Sequence, residues 1–185
     1  MTDRKIFAAS DHHFGHANIL NFKGKDGNPI RPGFLNLDDM NETIVRNHNN
    51  TVTPDDIVYF LGDFTFGGKP NIAKFATRLN GRKRLILGNH DYNAKDYVPF
   101  FDEIMSWRQF GNEYAVPLVL CHYPLHISAF GYRAGSEAIN VHGHIHEKIV
   151  EPFSSKPSQW VNVAMERCNY TPVDLADIAN GKYRG

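Results

Sequence analysis

Short apolar runs that stop abruptly at Gly, Asp, Asn or His recur along the chain. Residues 6–9 run into Ser10-Asp11-His12-His13, residues 57–61 into Gly62-Asp63, and residues 85–87 into Gly88-Asn89-His90-Asp91. Residues 119–121 run into His122, and residues 139–141 into His142-Gly143-His144-Ile145-His146. β-Branched and aromatic runs bounded by turn formers read as strands, and open α/β sheets build their sites where such strands end. Five strand ends carrying polar side chains are therefore expected to meet.

Between these runs the period changes. Leu37, Met40, Ile44 and His48 recur at helical spacing after Asn36, which can cap a helix over 37–48 with Asp39 three residues on. Ile72, Phe75, Ala76 and Leu79 form a second stripe, with Pro70 in the first turn and Asn80-Gly81 as the stop. Residues 57–87 then read as a right-handed βαβ unit whose parallel strands bring Asp63 and Asn89 to one edge. Residues 104–110, Gly111-Asn112 and 114–116 predict a hairpin, residues 160–163 another strand, and Thr171-Pro172-Val173-Asp174 a capping box opening a last helix that stops at Asn180-Gly181. Residues 23–36, rich in Gly and Pro without a period, predict a long surface loop.

A chain of 185 residues with 42% hydrophobic content is expected to be a single domain, 1–185, around one core. Lys plus Arg and Asp plus Glu are 20 each, so no overall field recruits nucleic acid or an acidic membrane. Cys121 and Cys168 form no metal-knuckle spacing, and no signal peptide or long apolar span is visible, so the expectation is a cytoplasmic protein.

Asp11, His13, Asp63, Asn89, His122, His144 and His146 are seven oxygen and nitrogen donors at predicted strand ends, more than one metal ion uses. Mixed carboxylate, amide and imidazole donors suit hard and borderline divalent cations. Two ions about 3.5 to 4 Å apart, sharing a carboxylate, can hold a hydroxide between them for in-line attack at phosphorus. His90 is then free to act as an acid.

These blocks, Asp11-x-His13, Gly62-Asp63, Gly88-Asn89-His90-Asp91, His122 and Gly143-His144-Ile145-His146, occur in the order found in the calcineurin-like metallophosphoesterases, which the chain resembles from residue 6 to about 165. The resemblance implies a four-layer α/β/β/α sandwich of two mixed β-sheets flanked by helices. It also implies one ion on Asp11, His13, Asp63 and His146 and another on Asp63, Asn89, His122 and His144. His90 would protonate the leaving oxygen, with Asp91 orienting it. Manganese is the first expectation for the two ions, with zinc, iron(II) or nickel as alternatives. Phe14-Gly15-His16, Leu79-Asn80-Gly81 and Asn162-Val163 resemble a compact bacterial and phage branch without cap domains, so loops must choose the substrate.

The expected substrate is a small phosphorylated molecule, a phosphodiester or nucleotide, and not a long nucleic acid or a membrane. A nuclease acting on DNA or RNA ends and a metal-retaining scaffold without catalysis are the alternatives. A metallo-β-lactamase type of centre lacks its His-x-His-x-Asp-His block here. His16, Arg31 and Arg133 are candidates for a substrate phosphate. His12 and His142 stand open between site contacts and packing, and His48 and His126 read as structural. Arg78 with Arg82-Lys83-Arg84 reads as a solvated face, and Cys121 as a buried small residue rather than a nucleophile.

Overall fold

The computed structural model describes residues 4–130, 138–150 and 159–184. In chain order the regular elements are β1 (Ile6–Ala9), α1 (Leu37–Thr51), β2 (Ile57–Phe60), α2 (Gly68–Ala76), β3 (Arg82–Ile86), α3 (Ala94–Tyr97), β4 (Glu103–Met105), β5 (Trp107–Phe110), β6 (Leu118–Cys121), β7 (Ile139–His142), β8 (Trp160–Asn162), β9 (Val173–Asp174) and α4 (Leu175–Ala179). Among the described residues they form a sheet ordered β4-β3-β2-β1-β9 and a second ordered β5-β6-β7-β8. The first is parallel except for β9, the second parallel except for β5, so both are mixed.

The sheets face each other across one core. Tyr59 of β2 meets Phe110 of β5 edge to face at 5.6 Å, while its neighbour Phe60 points the other way, toward His48 of α1 and Phe101. Alternation across the pleat thus feeds both the inter-sheet layer and the helical layer. The two sheets also join at one end, where Ser10 bridges Ala164 and takes part in backbone bonds to Val163 and Met165. The donor-bearing strand ends lie at that junction.

Helix α1 starts as expected, with the Asn36 side chain accepting from the Asp39 N–H at 2.9 Å, and buries Met40, Ile44, Val45 and His48. It runs to Thr51 rather than 48 because Asn49 in its last turn bonds Arg78 O and Asn80 N, a tertiary tie that periodicity does not show. The β2-α2-β3 unit forms in parallel register, Ile57 against Arg82. Phe75 of α2 stacks on Phe14 at 4.4 Å.

Two predicted elements change. The hairpin forms with other bounds: β4 pairs with β3 in the first sheet, so the chain passes between sheets at Ser106, and β5 pairs antiparallel with β6 across a loop that contains Gly111-Asn112, with 114–116 in that loop rather than in a strand. The Gly111-Asn112 signal does mark the reversal, while the demand for edge partners in both sheets divides the strand before it. The last helix is capped by Asp174, which accepts from Ala176 N, and not by Thr171; Val173 and Asp174 first pair with β1. The loop over 23–36 is exposed through much of its length, yet Ile30 and Arg31 are buried.

His48 generates a pH prediction. Burial lowers its imidazole to about 4, outweighing the bond from Nε2 to the Asn80 carbonyl, which raises it. The folded chain therefore refuses a proton that the unfolded chain accepts below about 6.5, so this contribution to stability is full above that pH and is lost as pH falls toward 4. Urea unfolding of metal-free protein across pH 7 to 4 should show that decline. His48→Gln should make it shallower, and an unchanged slope would contradict the assignment.

Candidate metal centre

The ends of β1, β2 and β7 turn so sharply that Asp11, His13, Asp63, His144 and His146 all have positive φ, between 50° and 69°. Non-glycine residues avoid this region, and clusters of it mark sites where the surroundings override local preference. Backbone bonds hold the turns: Asp11 N to Gly62 O at 3.1 Å, His13 N to Asp63 O at 3.0 Å, and His144 N to Asp11 Oδ2 at 2.8 Å. Gly62 packs so tightly that a Cβ there would stand 2.6 Å from Gly88 and from His122 Nδ1.

Asp63 lies at the middle of the cluster. Its Oδ2 is 3.7 Å from both His13 Nε2 and His122 Nε2 and 4.0 Å from His90 Nε2. Donor atoms of Asp11, His13 and His146 lie within 4.8 Å of one another, as do those of Asp11, Asp63 and His122. Asn89 Oδ1 is 2.9 Å from both His122 Nε2 and His144 Nδ1. The structure thus brings all seven predicted donors together.

The donor set fits divalent cations. Asp11 Oδ1 and both ring nitrogens of His13 are buried without a hydrogen-bond partner, although buried polar atoms are ordinarily paired. His122 Nδ1 is committed to the Leu61 carbonyl at 2.7 Å, so in the neutral ring Nε2 presents its lone pair to Asn89 Oδ1. A shared cation would reconcile two acceptors at that distance. Burial lowers His13 far below its usual range, with Arg31 and His146 adding to the effect, which keeps it in the neutral form that ligates metals. Burial raises the Asp11 carboxyl, a shift a bound cation would reverse.

Glu166 is a site residue the sequence reading missed. Its Oε1 accepts from His146 Nδ1 at 3.0 Å and from Arg31 Nε at 2.6 Å. Burial would raise this carboxyl, but Arg31 and His146 hold it at about 2. The carboxylate fixes the ring so that His146 Nε2 is left for a metal. The available signal was a charged residue directly after the apolar run 160–165.

Other expectations are corrected. Arg31 is not a phosphate contact: it is 2% exposed, and besides Glu166 it donates to the carbonyls of His12 and Asp11. A guanidinium so committed braces the Asp11–His13 turn from behind. Asp91 does not bond the His90 ring. Its carboxylate accepts from the N–H groups of Asp63, Phe64 and Gly88 and from Tyr97 Oη at 2.7 Å, so it ties two strand ends together. His90 is placed instead by its own N–H, which donates to Asp63 Oδ1 at 2.9 Å. Arg133 lies outside the described residues.

His16 stacks flat on Phe66 at 3.8 Å, with its ring 5.3 Å from that of His13. His12 is buried among Phe14, Phe60 and Phe64, and His142 is buried with Nδ1 on the Gly143 carbonyl, so both pack beneath the site. The basic cluster is largely paired: Arg78 with Glu42, Arg82 with Asp102 and Arg84 with Glu103. Burial raises the Cys121 thiol and does not activate it.

Residues 4–175 match the family model described as calcineurin-like phosphoesterase. An uncharacterized protein of Methanocaldococcus jannaschii is 34% identical over 181 residues, covering 95% of this chain and 89% of its own. The gene 66 protein of Mycobacterium phage D29 is 26% identical over 178 residues, 83% of this chain and 84% of its own. The crystal structure of a protein of unknown function from Aquifex aeolicus superposes with a TM-score of 0.72 at 24% identity, covering 96% of this chain and 99% of that one, and so shares the fold. No described helix is long and apolar enough to cross a membrane. With its seven converging donors and a family match over nearly its whole length, the chain belongs to the calcineurin-like phosphoesterase family.

Proposed function

We propose that the protein hydrolyses a small phosphoester, a phosphodiester or nucleotide, at two divalent ions held by Asp11, His13, Asp63, Asn89, His122, His144 and His146, with manganese the preferred ion. The observation that carries this reading is the set of buried, unpartnered donor atoms on Asp11 and His13 beside Asp63 Oδ2. Bound ions would supply Lewis acidity toward phosphoryl oxygens and make water acidic enough to attack near neutral pH.

His90 is the general acid in this reading. Its side chain is about one-third exposed, at the rim, with Nε2 4.0 Å from Asp63 Oδ2 and its ring 4.9 Å from Phe66. An imidazole there can pass a proton to an oxygen leaving a phosphorus held over Asp63. Asp91 serves this step indirectly, by fixing Gly88 against Asp63 so that the His90 backbone is positioned. The paired basic cluster supports a small substrate over a long polyanion, and in this reading His16, beside His13, meets a phosphoryl oxygen.

Asp63→Asn should abolish hydrolysis and lower bound metal from two ions per chain, because one carboxylate offsets charge toward both ligand groups. Metal analysis of the purified variant checks this, and two retained ions with normal turnover would remove the dinuclear assignment. His90→Ala should keep both ions and lose about 10² to 10⁴ in kcat. The loss should be smaller for nitrophenyl esters, whose leaving group departs without a proton, and equal losses for nitrophenyl and alkyl esters would make His90 a positioning residue.

A substrate touching few phosphates releases few counterions, so KM for a small diester should vary weakly with salt at saturating metal. Cleavage of single-stranded DNA would instead show a log slope of about 0.7 per neutralised phosphate. Rapid cleavage of long DNA with that steep dependence would establish the nuclease reading.

A further inference from the structure

A cavity of about 1010 Å³ opens beside the metal centre and has no role in the chemistry above. One end is formed by Gly88, which precedes Asn89, and by Tyr123, which follows His122. The Tyr123 ring lies 4.8 Å from both the His122 and His144 rings. The cavity is therefore continuous with the Asn89–His122–His144 side of the centre. From there it follows β5 along the face that carries Trp107 and Gln109 and ends near Asn112.

Three properties define its occupant. First, the described residues that line it include no Lys, Arg, Asp or Glu, so the surface they offer is neutral and partly apolar. Second, Trp107 is 56% exposed and Tyr123 41%, and both present ring surface to the cavity. Large aromatic faces are costly to leave wet unless a ligand covers them. Third, Ser106, Gln109 and Asn112 are neutral hydrogen-bonding side chains that bond to no other described residue. Aromatic planes with a few neutral donors and acceptors, in a volume suited to a small organic molecule, match an uncharged planar heterocycle.

We infer that this cavity binds the nucleobase, with its sugar, of a nucleoside phosphoester whose phosphorus sits at the metal centre, Trp107 and Tyr123 supplying stacking surface and Gln109 and Asn112 meeting the base edge. The inference rests on the hydrolase reading and names the substrate class of that same site. The opposite flank, lined by Lys23, His146, Glu147 and Lys148, carries charges of both signs and is the poorer base site.

The test compares kcat/KM for p-nitrophenyl thymidine 5′-phosphate with that for methyl p-nitrophenyl phosphate, two esters with the same leaving group. Wild-type protein should prefer the nucleoside ester at least about tenfold. Trp107→Ala should collapse that ratio toward one, and Trp107→Phe should restore most of it. A wild-type ratio near one, or a ratio unchanged in Trp107→Ala, overturns the assignment. Should neither ester be hydrolysed, the hydrolase reading fails and the cavity is decided separately by titrating metal-free protein with adenosine. Saturable quenching of tryptophan fluorescence that is lost in Trp107→Ala supports the base site, and absence of saturable quenching overturns it.

Discussion

Everything at the centre depends on backbone turns that amino acids with a Cβ resist. Five of the seven donor residues hold left-handed conformations, each costing on the order of 1 kcal/mol or more. The compensation is local and visible. Asp63 N donates to Asp91, His144 N to Asp11, and the N–H groups of Asp11 and His13 to carbonyls on the β2 turn. Several of these bonds join one turned segment to another, so the turns support one another. The tight turns aim short polar side chains back over the strand ends, and so several carboxylate and imidazole groups can share a small volume.

A second arrangement supports the first from beneath. Glu166 and Arg31 form a buried pair whose polar atoms are directed at the site: the guanidinium to the carbonyls of Asp11 and His12, the carboxylate to His146. A buried ion pair contributes little net stability by itself. Here it fixes the orientation of a ligand ring and of the turn carrying two other donors, which a hydrophobic replacement would leave unspecified. Ser10, whose Oγ donates to Leu61 O at 2.7 Å, joins the same layer and ties β1 to the β2 turn.

The two sheets divide the work. The first supplies both carboxylates, His13, Asn89 and His90, while the second supplies His122, His144 and His146, and the centre exists only where the two meet through Ser10 and Ala164. Both carboxylates therefore come from the first sheet, and the second contributes imidazoles. The second sheet also carries, on the face away from the main core, the separate apolar cluster of Val119, Phe130, Ala138 and Trp160. The cavity at Trp107 borders that cluster, so one sheet carries both candidate metal donors and the wall of the adjacent cavity.

The sequence by itself determined the strand ends, the parallel β2-α2-β3 unit, the Asn36 cap and the seven donors, because each is written in local period and residue type. Short apolar runs stopped by turn formers read as buried strands, and so many Asp, Asn and His residues at their ends suit ligation of a cation. What only the tertiary structure decided was the use of long-range partners. Arg31 sits in a Gly- and Pro-rich loop and looked exposed, but a carboxylate 135 residues away draws it inside. Asp91 follows His90 directly, yet its carboxylate is claimed by three N–H groups and a tyrosine from other turns. The 104–110 run looked like one strand of a hairpin, but the edges of two different sheets divide it at Ser106. In each case a short-range signal was outweighed by a buried polar or edge group that had to be satisfied, and such partners are set by the fold rather than by spacing along the chain.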